Sequence, residues 1–187
     1  PAHGVEVRAQ GAEWEAFDDV IFATHGDDSL AMLSDATGVE RTALSAVKYQ
    51  PNRAVLHCDE RLMPKRRACW SSWVYTEPKV KTSDRIGLSY WMNSLQPIPQ
   101  DDPMFVTLNA TQDIREECIY DEATFSHPLY DVDMLAAQDT VRAINGSHNT
   151  WFCGAWMRNG FHEDGLQSAL DVARLMATRT DMQMAAE

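Results

Sequence analysis

The pattern of apolar and polar residues over the first 48 positions predicts a hairpin and two short helices. The segment "GVEVRAQ" alternates apolar and polar residues, Gly11 offers a turn, and "EWEAFDDVIFAT" completes the hairpin. Its last strand, Val20 to Thr24, is continuously apolar, so we expect both faces of this strand to be buried. "HGDDSLAMLSD" and "GVERTALSAVK" are typical of short helices, the first capped near Asp27 with Leu30 and Leu33 facing inward.

The pattern changes to one typical of β-structure between Tyr49 and Asn109. Four strand-length segments are rich in β-branched and aromatic residues: "NRAVLHCD", "ACWSSWVYTE", "RIGLSYWMN" and "MFVTLN". The proline-rich or charged turns "MPKRR", "PKVKTSD" and "QPIPQDDP" separate them. The segments predict an antiparallel sheet of about four strands, and "EECIYDEATFSHPLYD" adds another strand that ends before Pro128.

A helix, a strand and a final helix are predicted for the last third of the chain. In "VDMLAAQDTVRAIN", Asp131 or Asp133 is the cap, Gly146 ends the helix, and apolar residues recur at Met134, Leu135, Val141 and Ile144. "TWFCGAW" then predicts a strand, followed by a loop that contains glycine. The helix after the loop has one apolar stripe, formed by Leu166, Ala169, Leu170, Ala173, Met176 and Ala177.

The beginning of the final helix carries features of a ligand site. Asp164 at the N-cap and Gln167 form a variant capping box, and Gly165 leaves the first turn without a side chain. Unpaired N–H groups at this positive end of the helix suit an anionic or electron-rich ligand oxygen. Gly154 and Gly160 would let a flat ligand approach the backbone closely. The alternative is that these glycines only form turns and caps.

Composition restricts the class of protein. The 187 residues are 44% hydrophobic and 24% charged, as in ordinary globular proteins. A net charge of −12 argues against a nucleic-acid partner, because phosphate binding needs a basic surface. No apolar segment is long enough to span a bilayer and no leader pattern is present, so we expect a cytoplasmic protein. The four cysteines form no CxxC pair and are expected to be reduced.

Histidines and aromatic residues offer further candidates for chemistry. No histidine pair has metal-ligand spacing, and the neighbours His57, Cys58 and Asp59 alternate faces of a strand, so we predict no metal site. His162 with Glu163 is a possible acid–base pair, although a loop histidine is more often structural. The aromatic residues Trp73, Tyr75, Tyr90 and Trp91 either line an apolar substrate cavity or form a sheet core. A basic patch formed by "MPKRR", "KVK" and Arg85 either meets an acidic group or is a solvated turn.

Several motifs resemble those of the flavin-containing amine oxidase and phytoene-desaturase-like superfamily. "WFCGAW" followed by "GFHEDGLQSA" is similar to its C-terminal strand, glycine-rich loop and helix, and "FDDVIFATHGDDSLAML" resembles its "D-x-V-I-x-A-T" strand and helix. Between these, "YQPNRAVLHCDERLMPKRRACWSSWVY" and "LSYWMNSLQPIP" look like a bacterial subfamily of predicted NAD/FAD-binding proteins. The resemblance covers almost the whole chain.

The resemblance implies a set of FAD-contacting residues. Gly154, Ala155 and Trp156 would lie along the ribityl chain and pyrophosphate, and Ala23 and Thr24 would end a strand on the cofactor's other side. The loop and the first helical turn would border the flavin ring with the residues Gly160, Phe161, His162, Glu163, Asp164, Gly165 and Leu166. Backbone N–H groups near Gly165 and Leu166 would face the pyrimidine carbonyl of the flavin.

One family motif is missing. No GxGxxG occurs among the nine glycines, although in the family this motif and an acidic residue hold the ADP half of FAD. We therefore expect the C-terminal portion of a longer flavoprotein, which agrees with a first residue that is not methionine. The missing N-terminal half would lie in the same or another chain.

These observations lead to one expectation for the fold and one for the function. The fold class is α/β: residues 1–37 and 146–187 form parts of an FAD-binding Rossmann-like lobe, and 38–145 form an inserted mixed-sheet substrate lobe. The function implied by the resemblance is an FAD-dependent oxidoreductase that takes hydride from a C–N or C–C bond of an apolar or amine substrate. The isolated chain would be inactive. The alternatives are a cofactor-free binding module and one subunit of a split flavoenzyme.

Overall fold

The computed structural model describes residues 4–77 and 87–184 of this chain, and it shows a mixed α/β protein. In chain order the described elements are β1 (Val5–Val7), β2 (Glu15–Phe17), β3 (Val20–Phe22), α1 (Gly26–Met32), α2 (Gly38–Ser45), β4 (Tyr49–His57), β5 (Trp73–Thr76), β6 (Gly87–Trp91), α3 (Met92–Leu95), β7 (Phe105–Leu108), β8 (Ile119–Pro128), α4 (Val132–Ile144), β9 (Thr150–Phe152) and α5 (His162–Met184).

The chain forms two compact units. The first contains Pro1–Tyr49 and Pro128–Glu187, and the second contains Gln50–His127. These borders differ from the expected lobes, because α2 and α4 pack against each other and both belong to the first unit. Residues 38–49 and 128–145 therefore belong to the first unit and not to the middle of the chain.

Two small sheets form the β-structure of the first unit. Strands β1 and β2 form an antiparallel hairpin with Val5 opposite Phe17. Strand β3, which the sequence assigned to this hairpin, instead pairs in parallel with β9, so that Ile21 lies opposite Trp151. A parallel pair needs a long crossover connection, and here the connection includes the entire second unit.

The starts of α2 and α4 agree with their capping residues, whereas α1 follows His25 without a side-chain cap, so the predicted cap near Asp27 was wrong. The side chain of Thr37 accepts a hydrogen bond from the N–H of Glu40 at 3.2 Å, and Glu40 accepts one from the N–H of Thr37 at 2.7 Å, which completes a capping box for α2. Asp131 caps α4 by accepting a hydrogen bond from the N–H of Met134 at 2.8 Å. Of the two caps left open by the sequence, Asp131 is therefore the correct one.

A hydrophobic core lies between the β3–β9 pair and the helices. Phe22 and Phe152 stack with ring centroids 5.5 Å apart, and the predicted inward residues Leu30 and Leu33 pack against this cluster. The buried members of the core are Ala43, Leu44, Val47, Met134, Ala137, Val141, Phe152, Trp156 and Met157. On the other face of β9, Trp151 and Cys153 contact Val172 and Met176 of α5.

Two predictions of burial in this unit were wrong. The side chain of Ile21 is 48% exposed, so one face of β3 is open to solvent. The predicted apolar stripe of α5 is also largely exposed, apart from Met176, because β9 packs against the neighbouring face, which carries Ser168 and Val172. Leu135 of α4 is exposed for the same reason: the core contacts the face that carries Met134 and Val141.

The second unit contains a five-stranded sheet in the order β5-β6-β7-β4-β8. The pairs β5–β6, β6–β7 and β4–β7 are antiparallel. The predicted antiparallel sheet with one additional strand is thus confirmed for these pairs. The predicted turn "PKVKTSD" and the basic residues of "KVK" with Arg85 fall on positions 78–86, outside the described residues.

None of the helices in the described ranges combines the length and the apolar character needed to cross a membrane.

Candidate functional site

The strands β3 and β9 end side by side, and their ends bring together predicted site residues from both ends of the chain. The N–H of Cys153 donates to the carbonyl of Phe22 at 3.0 Å, which continues the pairing one residue past β9. Ala23 and Thr24 follow directly after β3, and Gly154 follows Cys153. Ligands of parallel α/β sheets bind at the carboxyl ends of the strands, which is where these residues lie.

Gly154 allows the chain to turn sharply at this point. Its φ of +148° is a conformation that side chains rarely adopt, and a Cβ there would lie 2.8 Å from the indole nitrogen of Trp156. The N–H of Gly154 donates to the hydroxyl of Ser168 at 2.8 Å. The indole N–H of Trp156 donates to the carbonyl of Thr24 at 3.0 Å. The two strand ends are therefore fixed to each other by hydrogen bonds.

The side chain of Trp156 packs into the hydrophobic core. It is 3% exposed and belongs to the core cluster with Phe152 and Met157. Packing against the core takes up the aromatic surface of this indole, and the position of Trp156 along a ribityl chain stays a prediction. Ala155 is partly exposed and keeps its place in the candidate site.

The first turn of α5 differs from the predicted cap. The helix begins at His162, and the carboxylate of Asp164 accepts a hydrogen bond from the N–H of Phe161 at 3.0 Å. Asp164 thus lies inside the first turn and reaches back, and Gln167 instead donates to Asp171 at 2.8 Å.

The free donors of this turn also differ from the predicted ones. The N–H of Gly165 donates to the carbonyl of Phe161 at 3.2 Å, which is the first backbone hydrogen bond of the helix. Leu166 is the next residue of the helix. The predicted donors near Gly165 and Leu166 are therefore used by the helix itself. The first-turn N–H groups left without a partner among the described residues belong to His162, Glu163 and Asp164.

Close backbone contacts hold the beginning of α5 against the end of β9. A Cβ on Gly165 would lie 3.6 Å from the backbone nitrogen of Ala155, an ordinary contact distance. The hydroxyl of Ser168 is 3.2 Å from the carbonyl oxygen of Gly154 and 2.8 Å from that of Gly165. Ser168 was not predicted, because a serine on a helix face gives no local signal of a contact with a distant turn.

Tyr130 is a second residue that the sequence analysis did not select. Gly160 has a φ of +91°, and a Cβ there would lie 2.6 Å from the Tyr130 hydroxyl oxygen. Burial, followed by the negative charge of Asp164, raises the pKa of Tyr130. A phenol thus lies beside the loop that leads into α5 and stays protonated at neutral pH.

A cleft of about 1120 Å³ runs along β3 in the first unit. Ala23 and Thr24 line it at one end of the strand, and Ile21 lines it in the middle. Its apolar walls include Val5, Val7, Trp14, Met32 and Leu33. The cleft is larger than the usual 300–1,000 Å³ of a small-molecule site, which leaves room for protein as well as for ligand.

Three of the four predicted substrate residues share one face of the sheet in the second unit. Trp73 and Tyr90 are directly opposite on β5 and β6, with their rings in a T-shaped contact at 5.8 Å. Tyr75 lies two residues along β5 and is therefore on the same face. By register, Leu88, Val106 and Leu108 extend this face, so it is continuously apolar.

Trp91 faces the other side of the same sheet. It contacts Trp70 at 5.3 Å, and the guanidinium of Arg67 lies over both indole rings. Ring packing and cation–π contact give Trp91 a structural role in this unit. The two alternatives for the aromatic residues thus apply to different faces: packing on the Trp91 face, and an exposed apolar surface on the face of Trp73 and Tyr75.

Buried polar groups in the second unit also have structural partners. The ring of His57 is 2.7 Å from the hydroxyl of Thr107, which is 2.8 Å from that of Ser89. Asp59 is fully buried, and Arg61 donates to it through its backbone N–H and through Nε and Nη2 of its guanidinium. Burial lowers the pKa of His57, and the hydrogen bonds from Arg61 hold the pKa of Asp59 well below its usual value.

One group of potential metal donors occurs in the described part of the first unit. His25, Asp27 and Asp28 each place a donor atom within 4.8 Å of the others, and all three are exposed. Exposed acidic residues at the start of a helix commonly carry no ion, so these residues do not by themselves indicate a metal site.

Comparison with known proteins gives a likeness in fold alone. No family model and no curated protein matches this chain. One solved structure with a similar fold is the CLA-producing fatty acid isomerase from P. acnes, with a TM-score of 0.52 and 15% sequence identity. The match covers 88% of this chain and 42% of that one, so this chain spans about two fifths of the length of the isomerase.

Proposed function

We propose that this chain is the C-terminal portion of an FAD-dependent oxidoreductase that takes hydride from a C–N or C–C bond. The observation that carries the proposal is the junction of β3, β9 and α5, where two parallel strand ends meet a glycine turn and a helix start. Glycine turns and helix N-termini are the backbone features with which proteins approach dinucleotides. The resemblance of this same segment to flavin-containing amine oxidases supports the assignment.

The residues of the junction fit the flavin end of such a cofactor. Gly154 and Ala155 are partly exposed and carry no bulky side chain. The free N–H groups of His162, Glu163 and Asp164 would provide donors toward a carbonyl that gains negative charge on reduction. When bound, FAD would supply the redox chemistry. This chain's residues would orient the cofactor and stabilise its added charge.

The carboxylates in the first turn of α5 affect which part of the cofactor can lie at this helix start. Asp164 turns its carboxylate back onto the N–H of Phe161, which places a negative charge at the start of the helix. Glu163 is exposed, where solvent screens its charge. An uncharged flavin carbonyl therefore suits this helix start better than a phosphate does.

The proposed substrate is apolar or an amine with an apolar body. The face of the sheet that carries Trp73, Tyr75 and Tyr90 offers an exposed apolar surface of the kind that binds such a molecule. The similar fold of a fatty acid isomerase makes an acyl chain a suitable first substrate to test.

The first experiment compares the 187-residue chain with the product of its complete reading frame. We expect a flavin absorption band, and FAD in the acid extract by mass spectrometry, from the complete product and not from the isolated chain. A complete product without bound flavin, or a reading frame without a dinucleotide-binding motif, would favour a cofactor-free module. Flavin bound only after a second polypeptide is added would favour a split enzyme.

The second experiment tests the helix start itself. His162→Pro removes a free N–H at the first position of α5, where proline is tolerated, whereas His162→Ala keeps it. Loss of one hydrogen bond predicts about tenfold weaker FAD binding by the proline variant of the complete product. Equal affinities of the two variants, with unchanged thermal unfolding, would remove the first-turn donors from the proposal.

A further inference from the structure

Two cysteines of the second unit are neighbours at the point where β4 ends and β8 begins. Cys58 directly follows β4 and Cys118 directly precedes β8, although the two residues are 60 positions apart along the chain. The N–H of Cys58 donates to the carbonyl of Cys118 at 3.0 Å. The thiol of Cys58 lies 3.7 Å from the same carbonyl oxygen. The two residues are therefore direct cross-strand neighbours.

The backbone spacing at this point suits a disulfide. Strands β4 and β8 are neighbours in the sheet, and they run antiparallel because one ends where the other begins. Residues that face each other across a hydrogen-bonded antiparallel pair have Cα atoms about 5.5 Å apart, which is within the range that a disulfide bridges. The side chains of Cys58 and Cys118 are also hydrogen-bond partners, so the two sulfur atoms lie on the same side of the strands.

The two thiols differ in their access to solvent. Cys58 is partly exposed, and its thiol is a hydrogen-bond partner of Tyr120, a residue that is 54% exposed. Cys118 is only 6% exposed. Burial, followed by the neighbouring Cys58 thiol, raises the pKa of Cys118, although the positive charge of Arg115 acts in the opposite direction. An oxidant from the solvent therefore meets Cys58 first, and Cys118 is placed to react second.

We propose that Cys58 and Cys118 form a modification site at which hydrogen peroxide oxidises the pair reversibly to a disulfide. The Cys58 thiolate attacks one oxygen of the peroxide, the O–O bond breaks, and the leaving hydroxide takes up the thiol proton to give water. Cys58 is then a sulfenic acid. The Cys118 sulfur attacks the Cys58 sulfur, the S–S bond forms, and a second water leaves with the Cys118 proton. Two thiols and one hydrogen peroxide thus give one disulfide and two waters.

The site is independent of the proposed function, because all of its residues lie in the second unit and its chemistry needs no flavin. Its disulfide would connect the end of β4 to the start of β8 next to the buried carboxylate of Asp59, to which the N–H of Arg115 donates at 3.0 Å. A disulfide that closes a loop of this length restricts the unfolded chain. We therefore expect the oxidised protein to unfold at a higher urea concentration than the reduced protein.

A peptide map of the product of the complete reading frame tests the proposal. The reduced protein is freed of reductant, treated with a small excess of hydrogen peroxide, alkylated, and digested with trypsin. Trypsin releases Cys58 in residues 54–61 and Cys118 in residues 116–142. We expect these two peptides as one linked species that dithiothreitol separates. Unlinked peptides, or Cys58 oxidised beyond the sulfenic acid without a link, would overturn the proposal.

Variants test the order of the two steps. Cys118→Ser leaves the Cys58 sulfenic acid without its partner, so dimedone labelling of Cys58 after peroxide treatment should rise about tenfold over the unchanged protein. Cys58→Ser should leave Cys118 as a thiol. Dimedone label on Cys118 in the Cys58→Ser variant, or no label on Cys58 in the Cys118→Ser variant, contradicts the assignment of roles.

The other two cysteines of the chain provide matched controls. Cys69 is exposed, and Cys153 is buried against Val172 in the first unit. Cys69→Ser and Cys153→Ser should leave the yield of the linked peptide unchanged. A link in the unchanged protein that joins Cys69 or Cys153 to Cys58 in place of Cys118 would overturn the proposal.

Unfolding separates a site built by the fold from unspecific oxidation. Peroxide treatment of the urea-unfolded protein should give much less of the linked peptide, because the two cysteines are then distant on average. Equal yields from folded and unfolded protein would show that the strand geometry does not position the pair. The urea midpoint should rise on oxidation of the unchanged protein and not of Cys118→Ser, and a lower midpoint for the oxidised protein would contradict the fit of the disulfide to this fold.

Discussion

The two units of this protein complete their sheets in different ways. The second unit forms five strands from one continuous segment, Gln50–His127 with the residues at its ends, and neighbouring antiparallel strands satisfy one another. The first unit pairs β3 and β9 from opposite ends of the chain and closes one edge with Asn145, and its other edge has no hydrogen-bonded strand among the described residues.

This difference follows from strand direction. Antiparallel strands can follow each other along the chain through short turns, so one segment is sufficient to build a whole sheet. Parallel strands need crossovers, and the completion of their sheet depends on segments that are distant in sequence. The second unit therefore builds its sheet within one segment, whereas the β3–β9 pair of the first unit depends on segments from both ends of the chain.

The largest expected effect concerns the cores on which both sheets depend. Phe105→Ala in the second unit and Phe152→Ala in the first each remove a fully buried ring, and we expect each to lower the free energy of unfolding by about 3–5 kcal/mol. Chemical denaturation measures this effect. Phe125→Ala, at an exposed position, serves as the control and should change stability by less than about 0.5 kcal/mol. A small effect at Phe152 would show that the β3–β9 pair is not part of a cooperative core.

The next effect tests the buried charge of the second unit. Asp59→Asn should lower the free energy of unfolding by about 2 kcal/mol at pH 7, because Arg61 and Arg115 lose a charged acceptor. The pKa of Asp59 is lowered in the folded protein, so this stabilisation is fully present above the unfolded pKa near 4, begins to decrease there, and is lost only as the pH falls through the lower pKa of the folded state.

Glu60→Gln, which changes an exposed carboxylate near Arg67, is the matched control for Asp59. Denaturation at pH 7 and at pH 3 distinguishes the two variants. A difference between Asp59→Asn and the unchanged protein that is no smaller at pH 3 than at pH 7 would contradict the electrostatic explanation.

A third change tests the closed edge of the first unit. Asn145→Ala leaves the N–H and carbonyl of Phe152 without partners, and we expect a loss of about 1–2 kcal/mol with faster amide exchange at Phe152. Asn145→Asp keeps the acceptor and loses the donor, so it should retain protection of that amide. If both variants exchange equally fast, the side chain does not act as a substitute strand.

The smallest effect is a pH dependence from His57 in the second unit. Its pKa is lowered by burial, so the unfolded chain takes up a proton first as the pH falls through the unfolded value near 6.5. Stability should therefore decrease from pH 7.5 toward pH 5.5, by no more than about 1.4 kcal/mol per pH unit for one proton. His57→Gln should remove this slope, and its denaturation midpoints over this range give the measurement. An unchanged slope would assign the titration to other groups.

Local patterns predicted much of the secondary structure. The strands of the second unit, the cap at Asp131 and the positions of Leu30 and Leu33 agree with the structure. Each depends on alternation or on a capping residue within a few positions, which the sequence displays directly. The candidate site was predicted in part: Thr24, Gly154 and Gly165 do meet, although the bond that Gly165 makes to Phe161 was not foreseen.

Contacts between distant segments explain the errors. Helix α5 has an apolar stripe that contains Leu166 and Leu170 and a second face that contains Ser168 and Val172. Strand β9 packs against the second face. Trp156 looked like a ligand contact because it follows Gly154, yet the core takes its indole. Tyr130 and Ser168 gave no signal because their partners, Gly160 and Gly154, are distant along the chain.

The sequence alone therefore determined the class of elements, the glycine-marked turns and the absence of a GxGxxG motif from this chain. Tertiary structure decided which faces are buried, which N–H groups of α5 remain free and which edge of the β3–β9 sheet Asn145 closes. The physical reason is that propensity and capping act over one or two turns of chain. Burial and strand pairing are settled by competition among all surfaces that the folded chain brings together.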